Sequence, residues 1–167
     1  YTPSTIYYGA PILHPGVDVL VIDPTDASYQ SLAQGEELTV TVDYGVTDGT
    51  VRTPASAVFT VIGTNDAPIV TLPVKAAATE GGLAATLDAL ANASDVDHGA
   101  VLSVVDVPAL LPAGVSYDAA TQTFSLNPTD AAYQNLSEGP VRSFSLNYGV
   151  SDGMATTAAS AVFTVTG

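Results

Sequence analysis

The sequence repeats itself after 104 residues, and this repeat limits the folds that the chain can adopt. Residues 23–63 and 127–167 align without a gap, and 22 of their 41 positions are identical. A period of about 100 residues is too long for a solenoid and suits a whole domain. The phrase Gly-Thr-Asn-Asp-Ala-Pro closes the first copy. We therefore predict a boundary near residue 66, between an N-terminally short or variant module (residues 1–66) and a complete module (residues 67–167).

Alternation of apolar and polar residues predicts β-strands in both copies. In the first copy, apolar residues occupy every second position of residues 38–46, the period expected of a half-buried strand. The Asp-Gly pairs at residues 48–49 and 152–153 predict hairpin turns, and residues 55–62 and 159–166 predict the return strands. Further strand candidates in the second module are residues 69–74, 84–90, 101–107 and 121–126. About seven short strands separated by turns predict an all-β sandwich.

One segment in each copy has the signals of a short helix. Residues 23–26 and 127–130 place Asp or Asn before Pro-Thr-Asp, which suits an N-cap followed by proline at the first helical position. A Tyr and a Leu follow three residues apart and would face inward, and Gly35 and Gly139 would end the turn. We therefore predict a short helical crossover between strands in each module.

These phrases, in the same order and twice at a fixed offset, resemble the VCBS-type, cadherin-like repeats of bacterial RTX proteins and other giant adhesins. The resemblance covers nearly all of residues 67–167 and roughly residues 15–66. It implies tandem immunoglobulin-like or cadherin-like Greek-key β-sandwiches, joined head to tail, whose partners are neighbouring repeats of the same chain. It also implies export by a type I system and an extracellular location on the bacterial cell surface, where the modules act as monomeric spacers in adhesion or biofilm formation.

The charge balance excludes several classes of partner. Seventeen Asp and Glu residues oppose three Lys and Arg residues, which gives a net charge of -14. Nucleic acid and anionic lipid repel such a chain, and no apolar run approaches the roughly 20 residues of a membrane span. We therefore predict neither nucleic acid binding nor membrane insertion. The acidity suits cations as ligands, and its alternative reading is that it keeps an extracellular protein soluble.

Acidic residues near the predicted boundary indicate a calcium site, because Ca²⁺ takes roughly six to eight oxygen ligands. Asp95 and Asp97 would share one face of an extended strand. They follow Asp66 by some 30 residues, which is similar to the spacing of the linker acid and the Asp-x-Asp pair at cadherin junctions. We predict that one junction site uses Asp48, Asn65, Asp66, Asp95 and Asp97.

The same reasoning predicts a half-site at the far end of the second module. Glu80 resembles the glutamate near the start of cadherin modules, and Asp152 repeats Asp48. The tighter acidic linker and the Asp-Arg-Glu phrase of cadherins are not found in this sequence. Turn chemistry alone also accounts for Asp48 and Asp152, and capping of a linker turn accounts for the Asn-Asp pair at residues 65–66.

No catalytic constellation is present, and we predict that the chain is not an enzyme. His14 and His98 lie in different modules without a Cys or Ser partner, and neither a nucleophile elbow nor a phosphate-binding glycine loop occurs. A hard cation disfavours imidazole, so His98 is expected to face solvent. The rival interpretation is a Ca²⁺-dependent sugar- or peptide-binding module, since Tyr1, Tyr7 and Tyr8 form an aromatic cluster with His14.

Overall fold

The protein, described by a computed structural model at residues 12–14 and 19–167, forms two compact units. The first unit contains the described residues up to Asp66 together with Val96–Gly99, and the second contains Ala67–Asp95 and Ala100–Gly167. The strands are β1 (Ile12–His14), β2 (Val19–Val21), β3 (Glu37–Thr47), β4 (Arg52–Ile62), β5 (Ile69–Val70), β6 (Val74–Thr79), β7 (Ala85–Asp88), β8 (Ala93–Ser94), β9 (Ser103–Val105), β10 (Val115–Asp118), β11 (Thr123–Leu126), β12 (Val141–Ser151) and β13 (Thr156–Thr166).

The second unit is a sandwich of two main sheets. One sheet has the strand order β6-β13-β12-β9, the other has the order β10-β11-β7, and β5 pairs with β8. Strands β12 and β13 form a long antiparallel hairpin, while β6 joins the outer edge of β13 in parallel. Because parallel neighbours need a crossover connection, β6 reaches this edge from a distant part of the chain.

Buried residues alternate along β13, and they form one side of the core. Four alternate residues from Ala159 to Val165 are at most 8% exposed. Phe124, on β11 of the other sheet, is fully buried. Its ring centroid lies 5.3 Å from that of Tyr148 and 6.3 Å from that of Phe163. Since Tyr148 and Phe163 belong to β12 and β13, these contacts join the two layers.

The first unit contains two hairpins among its described residues. Strand β1 pairs with β2, and the long strands β3 and β4 pair over eleven positions from Glu37 and Ile62 to Thr47 and Arg52. The turn before β3 contains Gly35, whose φ of 76° lies in the left-handed region that glycine adopts readily. The hairpins leave much of the apolar surface of β3 and β4 exposed.

The prediction of helical crossovers is wrong, because both segments fold into successive turns. In the first copy, the amide of Asp26 donates to the carbonyl of Asp23, and the amide of Tyr29 donates to the carbonyl of Asp26. The amides of Thr25 and Ser28 donate to the Oδ1 atoms of Asp23 and Asp26, each at 2.9 Å. The contact at Asp23 is the predicted N-cap, but the contact at Asp26 competes with the helical backbone pattern, because it takes the Ser28 amide that a helix would bond to the carbonyl of Pro24.

The second copy repeats this arrangement. The Oδ1 atoms of Asn127 and Asp130 accept from the amides of Thr129 at 3.1 Å and Ala132 at 2.9 Å. Tyr133 faces inward as predicted although no helix forms, since it is 1% exposed. Across the described ranges no helix forms, and so none has the length and apolar content of a membrane span.

The contact of Phe124 with both long strands predicts a large loss of stability on truncation. Phe124→Ala should lower the free energy of unfolding by about 3–5 kcal/mol, because it removes buried ring surface and leaves a cavity. Leu83→Ala is the matched control, since Leu83 is 92% exposed and its truncation should change the value by less than about 0.5 kcal/mol. Urea unfolding followed by circular dichroism measures both. Equal effects of the two substitutions would contradict the described core.

Candidate functional site

The linker, residues 63–68, is fixed at its first residue by close packing. The Gly63 amide donates to the carbonyl of Glu36 at 2.8 Å. A Cβ atom at Gly63 would overlap the backbone carbonyl oxygens of residues 32–33. Only glycine fits this close approach, so the chain leaves β4 along a defined path.

Asp97 is buried against the linker. Its residue exposure is 8%, and its Oδ2 atom accepts a hydrogen bond of 2.9 Å from the amide of Asp66. Burial of a carboxylate is costly unless hydrogen bonds or a cation compensate its charge. The Asp66 amide offsets part of that cost. Two of the predicted site residues, Asp66 and Asp97, are therefore in direct contact.

The segment Val96–Gly99, which contains Asp97, is also held by its neighbour His98. The His98 amide donates to the carbonyl of Ser31 at 2.9 Å, and its Nδ1 atom lies 3.7 Å from Oε1 of Glu36. The imidazole is 80% exposed, which confirms the expectation that it faces solvent. Sequence reasoning missed Ser31 and Glu36, because nothing in the local pattern around them indicates a contact about 60 residues away along the chain.

Asn65 forms hydrogen bonds with the first unit and with the next residue of the linker. Its backbone amide donates to Oε1 of Gln34 at 2.9 Å, and its side-chain amide donates to the carbonyl of Asp66 at 2.7 Å. The side-chain amide of Asn65 therefore binds the backbone of the linker itself. The roles that the sequence suggested for Asn65, a cap or a metal ligand, stay predictions.

In the second unit, Asp95 lies at the end where β13 begins. Asp95 is half-buried and directly follows β8, whose pairing with β5 brings it beside Pro68. The carbonyl of Pro68 accepts a hydrogen bond of 2.6 Å from the hydroxyl of Thr157, the second residue of β13. Asp152, in the turn between β12 and β13, lies at this same end of the second unit.

Asp48 and Asp152 have the same local chemistry in their hairpin turns. In each turn, the Oδ1 atom of the aspartate accepts from the backbone amides two and three residues later, at 2.8 Å for Asp48 and 2.7 Å for Asp152. The hydrogen bonds from the Val51 amide, and next from the hydroxyl and amide of Thr50, lower the pKa of Asp48 to about 2. Turn chemistry thus accounts for the type of residue at both positions.

The structure places Asp48 away from the linker, and it places Glu80, but not Asp152, at the far end of the second unit. Asp48 lies beyond the far end of the 11-residue strands β3 and β4, about 35 Å from Gly63 at the usual rise per residue. The Glu80 amide donates to the carbonyl of Thr166 at 2.8 Å, so Glu80 lies at the end of β13 opposite to Asp152. The sequence shows that these residues end strands, but it does not show which end faces the linker.

The donors of the two segments, residues 65–66 and 95–97, suit a hard cation. Within the ranges that the structure describes, no three His, Cys, Asp or Glu side chains are gathered into a group that could hold a metal ion. The donors are nevertheless carboxylates, a side-chain amide and backbone carbonyls, which are the ligands that Ca²⁺ prefers. The residue types fit calcium, and the acidic side chains alone do not complete its coordination.

The aromatic cluster on which the sugar- or peptide-binding interpretation rests lies outside the residues that the structure describes. Tyr1, Tyr7 and Tyr8 are not among the described residues, and only the backbone of His14, in β1, is described. That interpretation stays a prediction.

Comparison with known proteins identifies the second unit. The family model of the cadherin-like domain matches residues 64–166. The chain belongs to the cadherin-like domain family. Domains of this family are extracellular modules of the adhesion type, and they generally bind calcium. None of the curated proteins matches this cadherin-like chain.

Several solved structures of animal cadherins are similar at low identity. Drosophila N-cadherin EC1-4 is 11% identical over 97% of this chain and 40% of its own, with a TM-score of 0.49. Mouse clustered PcdhgC3 EC1-3 is 17% identical over 88% of this chain and 47% of its own, with a TM-score of 0.47. Human Protocadherin-24 EC1-2 is 16% identical over 93% of this chain and 75% of its own, with a TM-score of 0.44. The cadherin-like chain thus spans less than half the length of the first two of these structures.

The turn geometry of Asp48 makes a prediction about its titration. Thr50→Ala removes a hydroxyl donor to the Asp48 carboxylate but keeps both amides, so the pKa should rise from about 2 while remaining below the usual range of an aspartate. Because the folded pKa is lowered, the turn's contribution to stability is present above pH 4 and is lost as the pH falls towards 2. Carboxyl-detected NMR titration measures the midpoint. A midpoint near 4 in the unsubstituted chain would contradict the turn, and Asp118 should titrate unchanged in both proteins.

Proposed function

We propose that the chain consists of extender modules of a giant bacterial cell-surface adhesin of the VCBS and RTX type. In this role the modules are exported by a type I system and hold a distal binding region away from the cell for adhesion or biofilm formation. Their partners are neighbouring repeats of the same polypeptide, and each protein acts as a monomer. Membership in the cadherin-like family and the 104-residue repeat support a tandem extracellular array. The proposal includes no catalysis, since the sequence carries no catalytic motif.

The observation that carries this proposal is the hydrogen bond from the Asp66 amide to the Asp97 carboxylate. It links the linker to the Asp-x-Asp segment, so a ligand that holds one segment also restrains the other. We place a Ca²⁺ ion on Asp66, Asp95 and Asp97, with the amide oxygen of Asn65 as a further donor. When bound, the ion supplies positive charge that compensates these carboxylates. The chain itself has only three Lys and Arg residues to oppose seventeen acids.

Without calcium, the carboxylates of Asp66, Asp95 and Asp97 repel one another, and their repulsion loosens the linker. With calcium, the linker residues lose mobility, because the ion and the Asp97 hydrogen bond hold them from two sides. Hydrogen exchange at the Asp66 amide reports this directly, since that amide is the donor to Asp97. A spacer stiffened in this way keeps its modules extended under load, which is the mechanical role of an extender.

Calcium should stabilise the folded chain through these residues. Millimolar Ca²⁺ should raise the melting temperature, since a ligand at 100 times its dissociation constant stabilises by about 2.7 kcal/mol. Asp97→Asn and Asp66→Ala should each remove most of this response, and the double substitution should add little, because residues of one site are coupled. Differential scanning calorimetry with Ca²⁺, Mg²⁺ or chelator measures the response. Equal effects of Ca²⁺ and Mg²⁺ would indicate general charge screening instead.

Two features make this test specific. Asp66→Ala keeps the backbone amide that donates to Asp97, so its effect reports the carboxylate rather than the hydrogen bond. Asp118→Ala is the control, because Asp118 is an exposed residue whose Oδ1 accepts from the Ala120 amide in the turn between β10 and β11. If the losses of calcium response in Asp97→Asn and Asp66→Ala add in the double variant, or if Asp118→Ala also loses the response, the acidity only keeps the protein soluble.

The matched turn aspartates provide a second test. Asp152→Ala and Asp48→Ala remove the same turn hydrogen bonds, but only Asp152 lies at the Asp95 end of the second unit. We expect Asp152→Ala to weaken the calcium response several-fold and Asp48→Ala to leave it unchanged. Isothermal titration calorimetry of both variants with CaCl₂ measures this difference. Equal binding by the two variants would mean that Asp152 does not contribute to calcium binding, and a loss confined to Asp48→Ala would contradict the proposed location.

A further inference from the structure

The second unit carries acceptor motifs for N-linked sugars. Three asparagines of the chain begin an Asn-x-Ser or Asn-x-Thr triplet, at residues 92–94, 127–129 and 135–137. The triplet at residues 127–129 has proline in its middle position, which excludes it as an acceptor. An attached glycan is bulky and needs a surface position on a secreted protein. The surroundings of Asn92 and Asn135 therefore decide which of them can accept a sugar.

The side chain of Asn92 is held by the backbone around it. Its Nδ2 atom donates to the carbonyls of Leu72 at 3.2 Å and of Pro73 at 3.3 Å. The backbone carbonyl of Asn92 accepts from the amide of Thr71 at 3.1 Å, and the residue is half-buried. Because a glycan replaces one of the two hydrogens on Nδ2, transfer to Asn92 would break at least one of these hydrogen bonds.

Asn135 is exposed and lies between β11 and β12, outside both strands. Within the described residues, 12–14 and 19–167, its side chain takes part in no hydrogen bond or ion pair. Ser137, the third residue of the triplet, is exposed as well. Both groups that a glycosyltransferase must reach, the Nδ2 atom and the serine hydroxyl, are therefore accessible.

The neighbours of Asn135 fix the turn that carries it. Tyr133 is buried, with 1% exposure. The Nε2 atom of Gln134 donates to the carbonyl of Pro128 at 3.1 Å, and the amide of Leu136 donates to the carbonyl of Tyr133 at 3.1 Å. A sugar on Asn135 thus extends into solvent from an anchored backbone, and it displaces no core residue.

The first copy shows that this position stays exposed when another segment contacts the turn. The counterpart of Asn135 at the offset of 104 residues is Ser31. The carbonyl of Ser31 accepts from the His98 amide at 2.9 Å, yet Ser31 remains exposed. A contact with the backbone of the turn therefore leaves the side chain accessible. The first copy has Ala33 in place of Ser137, so only the second copy carries the triplet.

We propose that Asn135 is a site of N-linked glycosylation and that Asn92 is not. The co-substrate is a sugar whose anomeric carbon is activated by a phosphate or diphosphate group. In the transfer, Nδ2 forms a bond to this carbon and loses one proton. The bond from the carbon to the phosphate oxygen breaks, and its electron pair leaves with the phosphate. The extracellular class of the cadherin-like family suits this modification, which does not depend on calcium.

The first test is peptide mapping by mass spectrometry of the protein isolated from the cells that produce it. Trypsin is unsuitable, because it cleaves only at Arg52, Lys75 and Arg142 and leaves Asn92 and Asn135 on one peptide. Cleavage at acidic residues separates the two sites, since several aspartates lie between them. We expect a sugar on the Asn135 peptide alone. A bare Asn135, or a sugar on Asn92, would overturn the proposal.

Substitutions in the same cells assign the modified atom. Asn135→Gln and Ser137→Ala should each abolish the modification, whereas Asn92→Gln and Ser137→Thr should preserve it. Asn135 and Ser137 are exposed, so their substitution should leave the melting temperature unchanged. A sugar that persists in Asn135→Gln would contradict the assignment. A single added sugar and a preassembled chain both support the proposal, and they distinguish a nucleotide-linked donor from a lipid-linked donor.

The selectivity of the folded chain is a separate test, in which a purified N-glycosyltransferase acts with a nucleotide-linked glucose. Peptides of residues 88–98 and 131–141 serve as unfolded references, and both should be modified. In the folded chain Asn135 should react at least about 10-fold faster than Asn92, because Nδ2 of Asn92 must first leave two carbonyls. Equal rates at the two sites of the folded chain would overturn the proposal.

Discussion

The second unit depends on burial of one face of the β12–β13 hairpin. Tyr148, Val150 and Phe163 form a continuous apolar face on two strands, and the ring of Phe124 covers its centre from the opposite sheet. Burial of each large side chain contributes about 1.5–3 kcal/mol. The turn segment before β12 uses the same core, since the ring of Tyr133 is stacked at 6.3 Å on that of Phe144. The crossover is therefore positioned by packing, without helical hydrogen bonds.

The length of the hairpin strands determines where the acidic turns lie. Each strand of both long hairpins has 11 residues, so an aspartate in the turn is separated from the glycine that ends the module by the full length of the unit. Asp152 consequently lies at the entry end of its unit, and Glu80 lies at the exit end. This geometry separates Glu80 from Asp152, the two residues that the sequence assigned to one half-site.

The sequence predicts the long strands and their turns well, because alternation and the Asp-Gly pairs act over a few residues. It also predicts the candidate segments that become β7, β9 and β11, although each strand is shorter than its segment. It does not predict that residues 69–79 divide into β5 and a parallel β6, since that division is set by contacts with β8 and β13. The helix prediction fails for a local reason, because the side chain of Asp26 binds the Ser28 amide, which a helix would use for its backbone hydrogen bonds.

For the candidate site, residue types indicate the chemistry but not the assembly. Asp48 and Asp152 engage their turns with the same pair of amide hydrogen bonds, so composition and spacing cannot distinguish them. Asp97 differs, because its carboxylate is buried and accepts from the amide of Asp66 across 31 positions of sequence. Burial of a charge restricts where its compensation can come from, whereas an exposed turn acid is compensated by water. The contact between Asp66 and Asp97 joins residues that are far apart in the sequence, which is why residue types alone do not reveal it.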